Sequence, residues 1–309
     1  YLKDRGIQNL IIVDDYLSPW AVKKNGGDSA RAVLDAESFG RVFEVLRSQN
    51  PVKIATAMDI PQERIPLVFI SAVLIKCIAE LMGVKRIWTP GVTLCDGIAY
   101  EYAEKIRMFR GEHDFEEDII ACAFNISRRY MVSRKRSETL DNITTTIFDS
   151  LRRVHGLGKR ERICLRLAAI LHDCGKYISL VNTGETSYQI IMATEIIGLS
   201  QQEREIVANV VRFNHSRFVY DVQRIGSLER EAFLVVAKLT AILRLASCLD
   251  RSHKQKLKGL RATLKDGQLI LTVDTQADIV LEKGFVEANA DFFEEVFSVE
   301  PVLKQRKIF

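Results

Sequence analysis

The sequence predicts an α+β protein that is mainly helical, and this class rests on three changes of apolar pattern. Residues 1–107 alternate short apolar runs with helical periodicity, residues 108–258 show helical periodicity throughout, and residues 259–309 change to a period of two. A chain of 309 residues is long enough for such a division. We expect domain boundaries at these changes: an α/β segment, an all-helical domain and a small C-terminal α/β subdomain.

The first segment combines strand and helix signals but contains too few strands for a self-sufficient sheet. One of its helices opens at Pro61, since proline is tolerated in a first turn, and closes at Gly83. The predicted elements are strands at residues 9–13 and 84–88, a loop at residues 25–28, and helices at residues 35–47, at residues 61–81 and after residue 93.

The middle of the chain carries apolar residues at helical spacing, interrupted by glycine-containing loops at residues 156–158 and 182–184. Ser200 and Glu203 have the spacing of a capping box, which marks a helix start. Helices are predicted at residues 114–130, 137–153, 163–171, 187–197, 200–213 and 228–250.

The last fifty residues carry the strongest hairpin signal in the chain. Residues 260–264 and 268–273 alternate with a period of two and flank Lys265-Asp266-Gly267, a turn sequence. Residues 288–297 return to helical spacing, and residues 299–303 are predicted as a last strand.

The apolar runs and the cysteines indicate a cytoplasmic protein. The longest apolar run, residues 65–82, is interrupted by Pro66, Lys76 and Glu80, so we expect no membrane span. The six cysteines include no C-x-x-C pair, which favours reduced thiols over a disulfide framework or a zinc site.

Positive charge is concentrated in one part of the chain. The net charge is +4, but residues 127–162 contain ten Lys/Arg and four Asp/Glu, so that this segment carries +6 and the rest sums to −2. Such clustering attracts polyanions such as phosphate chains or nucleotides. The alternative interpretation is an ordinary solvated helix face.

The stretch around His172 and Asp173 is the clearest candidate for chemistry. An apolar run from Ile163 to Leu171 predicts a buried helix, and it ends in these two adjacent ionisable residues before Gly175. Burying both groups is costly unless something pairs with them, and a divalent metal or an anionic substrate would do so. The alternative is a capped helix end, in which Asp173 bonds a loop and His172 is satisfied in the core.

Three motifs carry a resemblance to known families. His172-Asp173 with a later His215 and Asp250 resembles the HD phosphohydrolase superfamily, which binds one or two divalent metals. Residues 168–175, Arg212-Phe-Asn-His215 and residues 243–253 resemble more specifically the exopolyphosphatase/guanosine pentaphosphate phosphohydrolase family (Ppx/GppA). Upstream, residues 87–97 look like the closing turn of that family's second actin-like domain.

The resemblance implies a fold and a substrate class. It implies that residues 1–107 are an incomplete actin-like (ribonuclease H-like) α/β domain and residues 108–258 an HD-like helical domain. In the family, hydrolysis occurs between two actin-like domains, and the HD-like part helps to bind long polyphosphate. The implied protein is a bacterial, cytoplasmic phosphoanhydride hydrolase acting on polyphosphate or guanosine polyphosphate.

Departures from the family pattern imply a degenerate metal site. The first actin-like domain is missing from this sequence, and Asp14-Asp15 stand where a Gly-Gly phosphate turn would follow the first strand. The first-helix histidine is also missing, since its position falls near residues 136–139, and Thr186 replaces a further expected histidine. Because metal affinity depends on ligand number, a full two-metal site is not expected.

Three hypotheses follow. In the first, the chain is part of a phosphoanhydride hydrolase that uses Mg²⁺ or Mn²⁺. In the second, it is a catalytically weak or inactive module that binds polyanions or nucleotides without specific nucleic-acid recognition; in the third, it is a helical domain that forms a homodimer. The candidate residues are His172 and Asp173 for catalysis; His172, Asp173, Asp250 and His215 for metal; and Lys176, Arg244, Arg251, His253, Arg128, Arg129, Arg134, Lys135 and Arg136 for substrate.

Overall fold

The computed structural model describes residues 6–17, 33–109, 111, 114–220, 228–257 and 259–306. Contacts along the chain divide it into two compact units, unit 1 at Tyr1–Glu112 and unit 2 at His113–Phe309. The predicted loop at residues 25–28 lies outside the described residues.

Unit 1 contains a three-stranded sheet with the order β1-β3-β2. Strand β1 (Asn9–Ile11) pairs parallel with β3 (Arg86–Trp88), and β2 (Val33–Asp35) pairs antiparallel with β3. The predictions of β1 and β3 are confirmed. Strand β2 is missing from the sequence prediction because it is only three residues long and leads directly into a helix.

The helices of unit 1 begin and end at residues that satisfy free backbone groups. Asp35 accepts a hydrogen bond from the backbone of Ser38 at 2.6 Å, and Thr93 forms a capping box with Asp96. Gly83 ends the longest helix in the left-handed region, at φ 66°. The helices are α1 (Ala36–Ser48), α2 (Pro51–Met58), α3 (Ile65–Met82, preceded by a 3₁₀ turn at Gln62–Arg64) and α4 (Leu94–Lys105).

Helix α3 has two apolar faces, of which one is buried in the core of unit 1 and the other is exposed. Two segments, Gln62–Met82 and Arg230–Leu249, are long and apolar enough to cross a bilayer by length and composition. Core helices pass the same test, and the second segment is 72% buried. The exposed apolar residues of α3 are Leu67, Ile70, Leu74, Ile78 and Leu81.

Unit 2 is mainly helical, and most of its predicted helices are confirmed with shifted ends. Helix α6 begins three residues before its predicted start because Ser133 caps it, accepting from the Arg136 backbone. Helix α9 begins within the predicted loop at residues 182–184 and ends four residues early. The helices are α5 (Phe115–Arg129), α6 (Arg134–Ser150), α7 (Arg152–His155), α8 (Lys159–Leu171), α9 (Thr183–Ala193), α10 (Gln201–His215) and α11 (Arg230–Leu249).

The C-terminal part of unit 2 contains the predicted hairpin. Strands β4 (Arg261–Lys265) and β5 (Gln268–Asp274) are antiparallel and joined at Asp266 and Gly267, both with positive φ. Helices α12 (Val280–Ala288) and α13 (Ala290–Phe297) then lead to β6 (Glu300–Arg306), which pairs parallel with β5. The buried face of β5 shares one apolar core with the helices, in which α11 is central.

Two glycines allow the elements around His172 to approach closely. A Cβ added to Gly175, in the 3₁₀ turn Cys174–Tyr177, would lie 2.3 Å from the carbonyl oxygen of Thr183 in α9. One added to Gly184 would lie 2.7 Å from the Arg212 carbonyl oxygen in α10. The turn, α9 and α10 therefore pack backbone against backbone.

We predict that Gly175→Ala destabilises unit 2 by about 3 kcal/mol, because backbone atoms must move to admit the methyl group. Gly284→Ala is the matched control: no atom lies within 4 Å of its added Cβ, and alanine favours a helix interior. Urea unfolding followed by far-UV circular dichroism is the suitable measurement, since both tryptophans, Trp20 and Trp88, lie in unit 1. Equal stabilities of the two variants would contradict the close packing.

His155 is a buried histidine that joins the end of α7 to α6. Its Nε2 donates to the Phe148 carbonyl oxygen at 2.9 Å, and its Nδ1 accepts from the Leu157 backbone at 2.8 Å. With a single ring proton, the imidazole is neutral. Burial lowers the pKa of His155 below its ordinary value, and the charges of Lys238 and Arg152 lower it further. The bond to Phe148 and the charge of Asp149 offset this only in part.

His155 gives a pH-dependent contribution to stability. Because its folded pKa is lowered, the unfolded chain binds more protons below about pH 6.5, so this contribution is complete above that pH and falls as the pH drops. We expect His155→Gln to be less stable than the wild type near neutral pH. The difference in free energy of unfolding between the wild type and His155→Gln should become smaller as the pH falls toward about 5. A gap that stays constant or widens on acidification would contradict the neutral buried ring.

Candidate functional site

Five side chains, from two helices and the segment that follows α8, meet at the end of α8, and we call them the histidine–aspartate cluster: His172, Asp173, Lys176, His215 and Arg136. The first three follow α8 directly, His215 is the last residue of α10, and Arg136 lies in the first turn of α6. Ser137 holds α6 against α8 by donating to the Ile170 carbonyl oxygen at 3.0 Å. His172 is fully buried, and Asp173 and Arg136 are each 8% exposed.

His172 is held in one neutral tautomer. Its Nδ1 lies 2.7 Å from the carbonyl oxygen of Ala169, which can only accept, so Nδ1 carries the proton. Its Nε2 accepts a hydrogen bond from Nε of Arg136 at 2.9 Å. The lone pair with which a histidine binds a metal is therefore already used by a guanidinium.

Asp173 is surrounded by positive charge. Its Oδ2 lies 2.8 Å from Lys176 Nζ, 3.7 Å from Arg136 Nε and 3.2 Å from His172 Nε2. Burial raises the pKa of Asp173, but its polar and charged neighbours lower it by more, so the net pKa lies well below its usual range. Because Nε2 of His172 already accepts from Arg136, we assign the lowering to the cations beside the carboxylate.

Two buried atoms of the cluster have no hydrogen-bond partner: Nη1 of Arg136 and Oδ1 of Asp173. One is a donor and the other an acceptor. His215 Nε2 lies 3.6 Å from Oδ1 of Asp173, beyond hydrogen-bond distance. That Nε2 donates instead to the His172 carbonyl oxygen at 2.7 Å, and burial lowers the pKa of His215.

Asp250 and His253 lie beside the cluster without completing it. The Asp250 carboxylate is buried and accepts from the backbone and side chain of Gln255, at 2.9 and 3.4 Å. Burial lowers the pKa of the exposed His253, and so do the charges of Arg136 and Lys176. The charges of Asp173 and Asp250 raise the pKa of His253 and so oppose this lowering in part.

The residues present do not fit a divalent metal. Within the described ranges, no three His, Cys, Asp or Glu side chains are grouped so as to hold an ion. Of the four predicted ligands, His172 and His215 have Nε2 engaged, Asp250 is satisfied by Gln255, and Asp173 faces two cations. The prediction of a metal at His172, Asp173, His215 and Asp250 finds no support in this geometry.

A cavity of about 400 Å³ opens on one side of the cluster, and we call it the arginine cavity. No carboxylate is among the side chains found to line it. Its floor includes the ends of α10 and α11 and one face of α12. The lining residues are Asn214, His215, Ser216, Arg217, Arg244, Ser247, Cys248, Arg251, Phe285 and Asn289.

Arg244 is held rigidly in this cavity. Its Nε and Nη2 donate to the Phe213 carbonyl oxygen at 2.9 and 2.7 Å, Nη2 also donates to Ser216, and the guanidinium stacks 4.6 Å from the Phe292 ring centre. Arg251 lies 4.7 Å over Phe285. In the part of the chain that is described, neither these arginines nor Arg217 form an ion pair, so their charge is available to a ligand.

A second cavity, of about 710 Å³, lies between α6 and the connection from α11 to β4, and we call it the polar groove. Lys135 and Lys254 line the groove together with three threonines of α6. In the described part of the chain, no carboxylate lines it. Gln255 belongs both to this groove and to the hydrogen bonds of Asp250. Lys135, which lines this groove, directly precedes Arg136 of the cluster in α6.

The predicted basic segment is divided by the structure. Arg128 bonds Asn125, Arg134 pairs with Glu138 at 2.8 Å, and Arg129 is exposed at the end of α5. Lys135 lines the polar groove, whereas Arg136 points into the cluster. Only the last two are brought to the candidate site.

The comparison with protein families decides the relationship. A family model described as Ppx/GppA phosphatase, domain III, matches residues 120–291, which is more than half of the chain. The chain belongs to the Ppx/GppA phosphatase family. The resemblance predicted from the motifs around His172 and Asp250 is thus confirmed.

A Ppx/GppA relative supports this assignment. The guanosine-5'-triphosphate,3'-diphosphate pyrophosphatase of Photobacterium profundum is 20% identical over 196 residues. The alignment covers 63% of this chain and 37% of the relative. The chain thus spans little more than a third of the length of the curated relative that it matches.

Two basic residues of the site are missing from the sequence prediction. Arg217 lines the arginine cavity and Lys254 the polar groove. Arg217 lies two residues after His215 and Lys254 one residue after His253, so nearness in sequence to the motif histidines is the signal that identifies them.

We predict that Asp173→Ala destabilises unit 2 by about 3–5 kcal/mol, because it leaves the Arg136 guanidinium buried without a carboxylate. Asp149→Ala is the control: Asp149 pairs with Arg162 at 2.9 Å but is 57% exposed, and its loss should cost about 0–1 kcal/mol. The double variant Arg136→Met/Asp173→Asn should recover part of the stability, since both buried charges are removed. Similar losses for Asp173→Ala and Asp149→Ala in urea unfolding would contradict this.

Proposed function

We propose that this chain is the phosphate-chain-binding portion of a Ppx/GppA-type phosphoanhydride hydrolase, and that the arginine cavity and the polar groove receive the ligand. One observation carries the proposal: five Lys/Arg side chains line these cavities, and no carboxylate of the described part of the chain does so. The carboxylate of the cluster, Asp173, is already neutralised by Arg136 and Lys176.

The chemistry of the cavities suits phosphoanhydride chains. Guanidinium groups bind phosphate oxygens through paired, charge-assisted hydrogen bonds, and ammonium groups act as point charges. Three guanidiniums in one cavity match several neighbouring phosphoryl groups better than a single phosphate. The ligand class is therefore polyphosphate or a guanosine polyphosphate, and the name of the Photobacterium relative refers to the second.

The position of the cavities favours an extended ligand. His215 lines the arginine cavity and contacts the cluster, while Gln255 lines the polar groove and bonds Asp250 beside the cluster. Lys176 and His253 also have side chains that reach solvent, and in this proposal they add positive or polar groups near the ligand. Long polyphosphate can occupy both cavities, whereas a mononucleotide fills one.

The rest of the proposal concerns the parent protein. We propose that unit 1 is part of an actin-like domain, on the basis of its mixed sheet with parallel β1 and β3, and that the helices of unit 2 have the HD-like arrangement. The protein acts in the cytoplasm, without a membrane partner and without specific recognition of nucleic acid. A homodimer is also proposed, with the exposed face of α3 as one candidate contact.

A second candidate function is hydrolysis at the histidine–aspartate cluster. One observation favours it: Nε2 of His172 and Nε2 of His215 lie 3.2 and 3.6 Å from the Asp173 carboxylate. His172 and Asp173 would then be catalytic. Because both Nε2 atoms are already engaged in hydrogen bonds, hydrolysis at the cluster has less support than phosphate-chain binding.

We predict that Arg217→Ala/Arg251→Ala weakens polyphosphate binding by about tenfold or more, because each guanidinium contributes charge-assisted hydrogen bonds. Arg128→Ala/Arg129→Ala is the matched control, since it removes the same charge from the end of α5. Fluorescence anisotropy with labelled polyphosphate measures both, with single-stranded DNA and guanosine pentaphosphate as competitors. Affinity should fall steeply with salt.

Equal weakening by the two double variants would show that only net charge matters and would contradict the cavity assignment. Phosphate release from polyphosphate with Mg²⁺ or Mn²⁺ tests the second function. If the chain releases phosphate and Asp173→Ala abolishes it in a folded variant, the cluster is the hydrolytic site.

A further inference from the structure

Arg136 occupies the position from which a metal ion would contact the cluster. Its Nε is 2.9 Å from Nε2 of His172 and 3.7 Å from Oδ2 of Asp173, so one cationic group faces the two atoms that would otherwise act as ligands. Those two atoms are only 3.2 Å apart. Ligand atoms of one divalent ion lie about 3 Å apart when the bonds are about 2.1 Å long and at right angles.

The contact between His172 and Asp173 requires a cation between them. His172 carries its proton on Nδ1, so Nε2 and the ionised Oδ2 of Asp173 face each other with lone pairs. Two lone pairs at this distance repel each other unless positive charge lies against both. Arg136 supplies that charge, and Lys176 adds a second from the solvent side.

The burial of Arg136 indicates that its guanidinium serves the contact with His172 and Asp173 and not a ligand in solvent. The side chain is 9% exposed, and the buried Nη1 has no hydrogen-bond partner. A guanidinium aimed at solvent phosphates would expose its donors, as Arg134 does two residues earlier with a side chain that is 79% exposed. The sequence-based assignment of Arg136 as a substrate clamp does not agree with this position.

We propose that the Arg136 guanidinium replaces a divalent metal in this cluster, so that the chain excludes metal ions there and keeps His172 and Asp173 together without one. The family resemblance implies that His172 and Asp173 bind a metal. In this chain the Arg136 guanidinium contacts both of them instead. Removing the charge at residue 136 should open the site to metal. The substitution frees Nε2 of His172 and leaves Oδ1 and Oδ2 of Asp173 as further metal-ligand atoms.

The test compares metal binding by the full wild-type chain with metal binding by variants at residue 136. Arg136→His removes the guanidinium and adds an imidazole, Arg136→Met only removes the charge, and Arg136→Lys keeps a cation. Arg134→Met removes an exposed arginine of the same helix turn and is the control. Binding of Co²⁺ by its visible absorption, and of Mn²⁺ by equilibrium dialysis, is measured for each, with folding checked by circular dichroism.

The wild type, Arg136→Lys and Arg134→Met should bind no metal stoichiometrically, whereas Arg136→His should bind one Co²⁺ per chain about tenfold or more tightly than the wild type. Adding Asp173→Asn to Arg136→His should abolish this gain. Stoichiometric Co²⁺ or Mn²⁺ binding by the wild type that is lost in Asp173→Asn would overturn the proposal. So would a folded Arg136→His variant that gains no affinity.

A measurement on the wild type alone keeps the proposal testable if Arg136 variants do not fold. In ¹⁵N-labelled protein, coupling across the hydrogen bond from Arg136 Nε to His172 Nε2 should be visible by NMR. It should persist at millimolar Zn²⁺ or Mg²⁺, because the metal does not displace the guanidinium. Loss of this coupling on addition of metal, with a shift of the His172 Nε2 resonance, would overturn the proposal.

Discussion

The hydrogen bond from Arg136 to His172 is the contact on which the rest of the site depends. It joins the first turn of α6 to the end of α8 and selects the tautomer of a fully buried imidazole. Through the same guanidinium and Lys176, the carboxylate of Asp173 is neutralised inside the protein. An ionised group in such a position is tolerated only when it is paired, so the arrangement of the cluster is determined by charge rather than by apolar packing.

This internal neutralisation separates two tasks that a metal site would combine. A divalent ion would bind the protein ligands and also attract phosphate oxygens. Arg136 performs only the first of these tasks, contact with the protein side chains, because its N–H groups are buried. In the function proposed above, the attraction of an anion falls to the side chains of the arginine cavity and the polar groove.

Much of the fold could be predicted from the sequence, because helical periodicity, capping residues and the Asp266-Gly267 turn are local signals. The family could be predicted as well, from the motifs around His172 and Asp250. The inward position of Arg136 could not, because it depends on where α6 begins. With a predicted start at residue 137, Arg136 reads as part of a basic loop; with Ser133 as the cap, it lies in the first turn and faces α8.

The role of Asp250 shows a second limit of sequence reasoning. Its motif predicts a metal ligand, but whether a carboxylate is free depends on contacts with residues that turn back toward it. Gln255 does so through its backbone and its side chain, in a segment where His253 and Gln255 both have positive φ. No periodic pattern encodes such a turn, so the geometry becomes visible only in three dimensions.

The arginine cavity is built where helices end. Helices α10, α11 and α12 finish at His215, Leu249 and Ala288, and residues at or just beyond these ends line the cavity. Carbonyl oxygens at a helix C-terminus carry partial negative charge, so the backbone here attracts cations and repels anions. Arg244 offsets part of this by binding two carbonyls at the end of α10. In the proposed function, the attraction of a phosphate chain to this cavity therefore comes from its arginine side chains and not from the backbone at these helix ends.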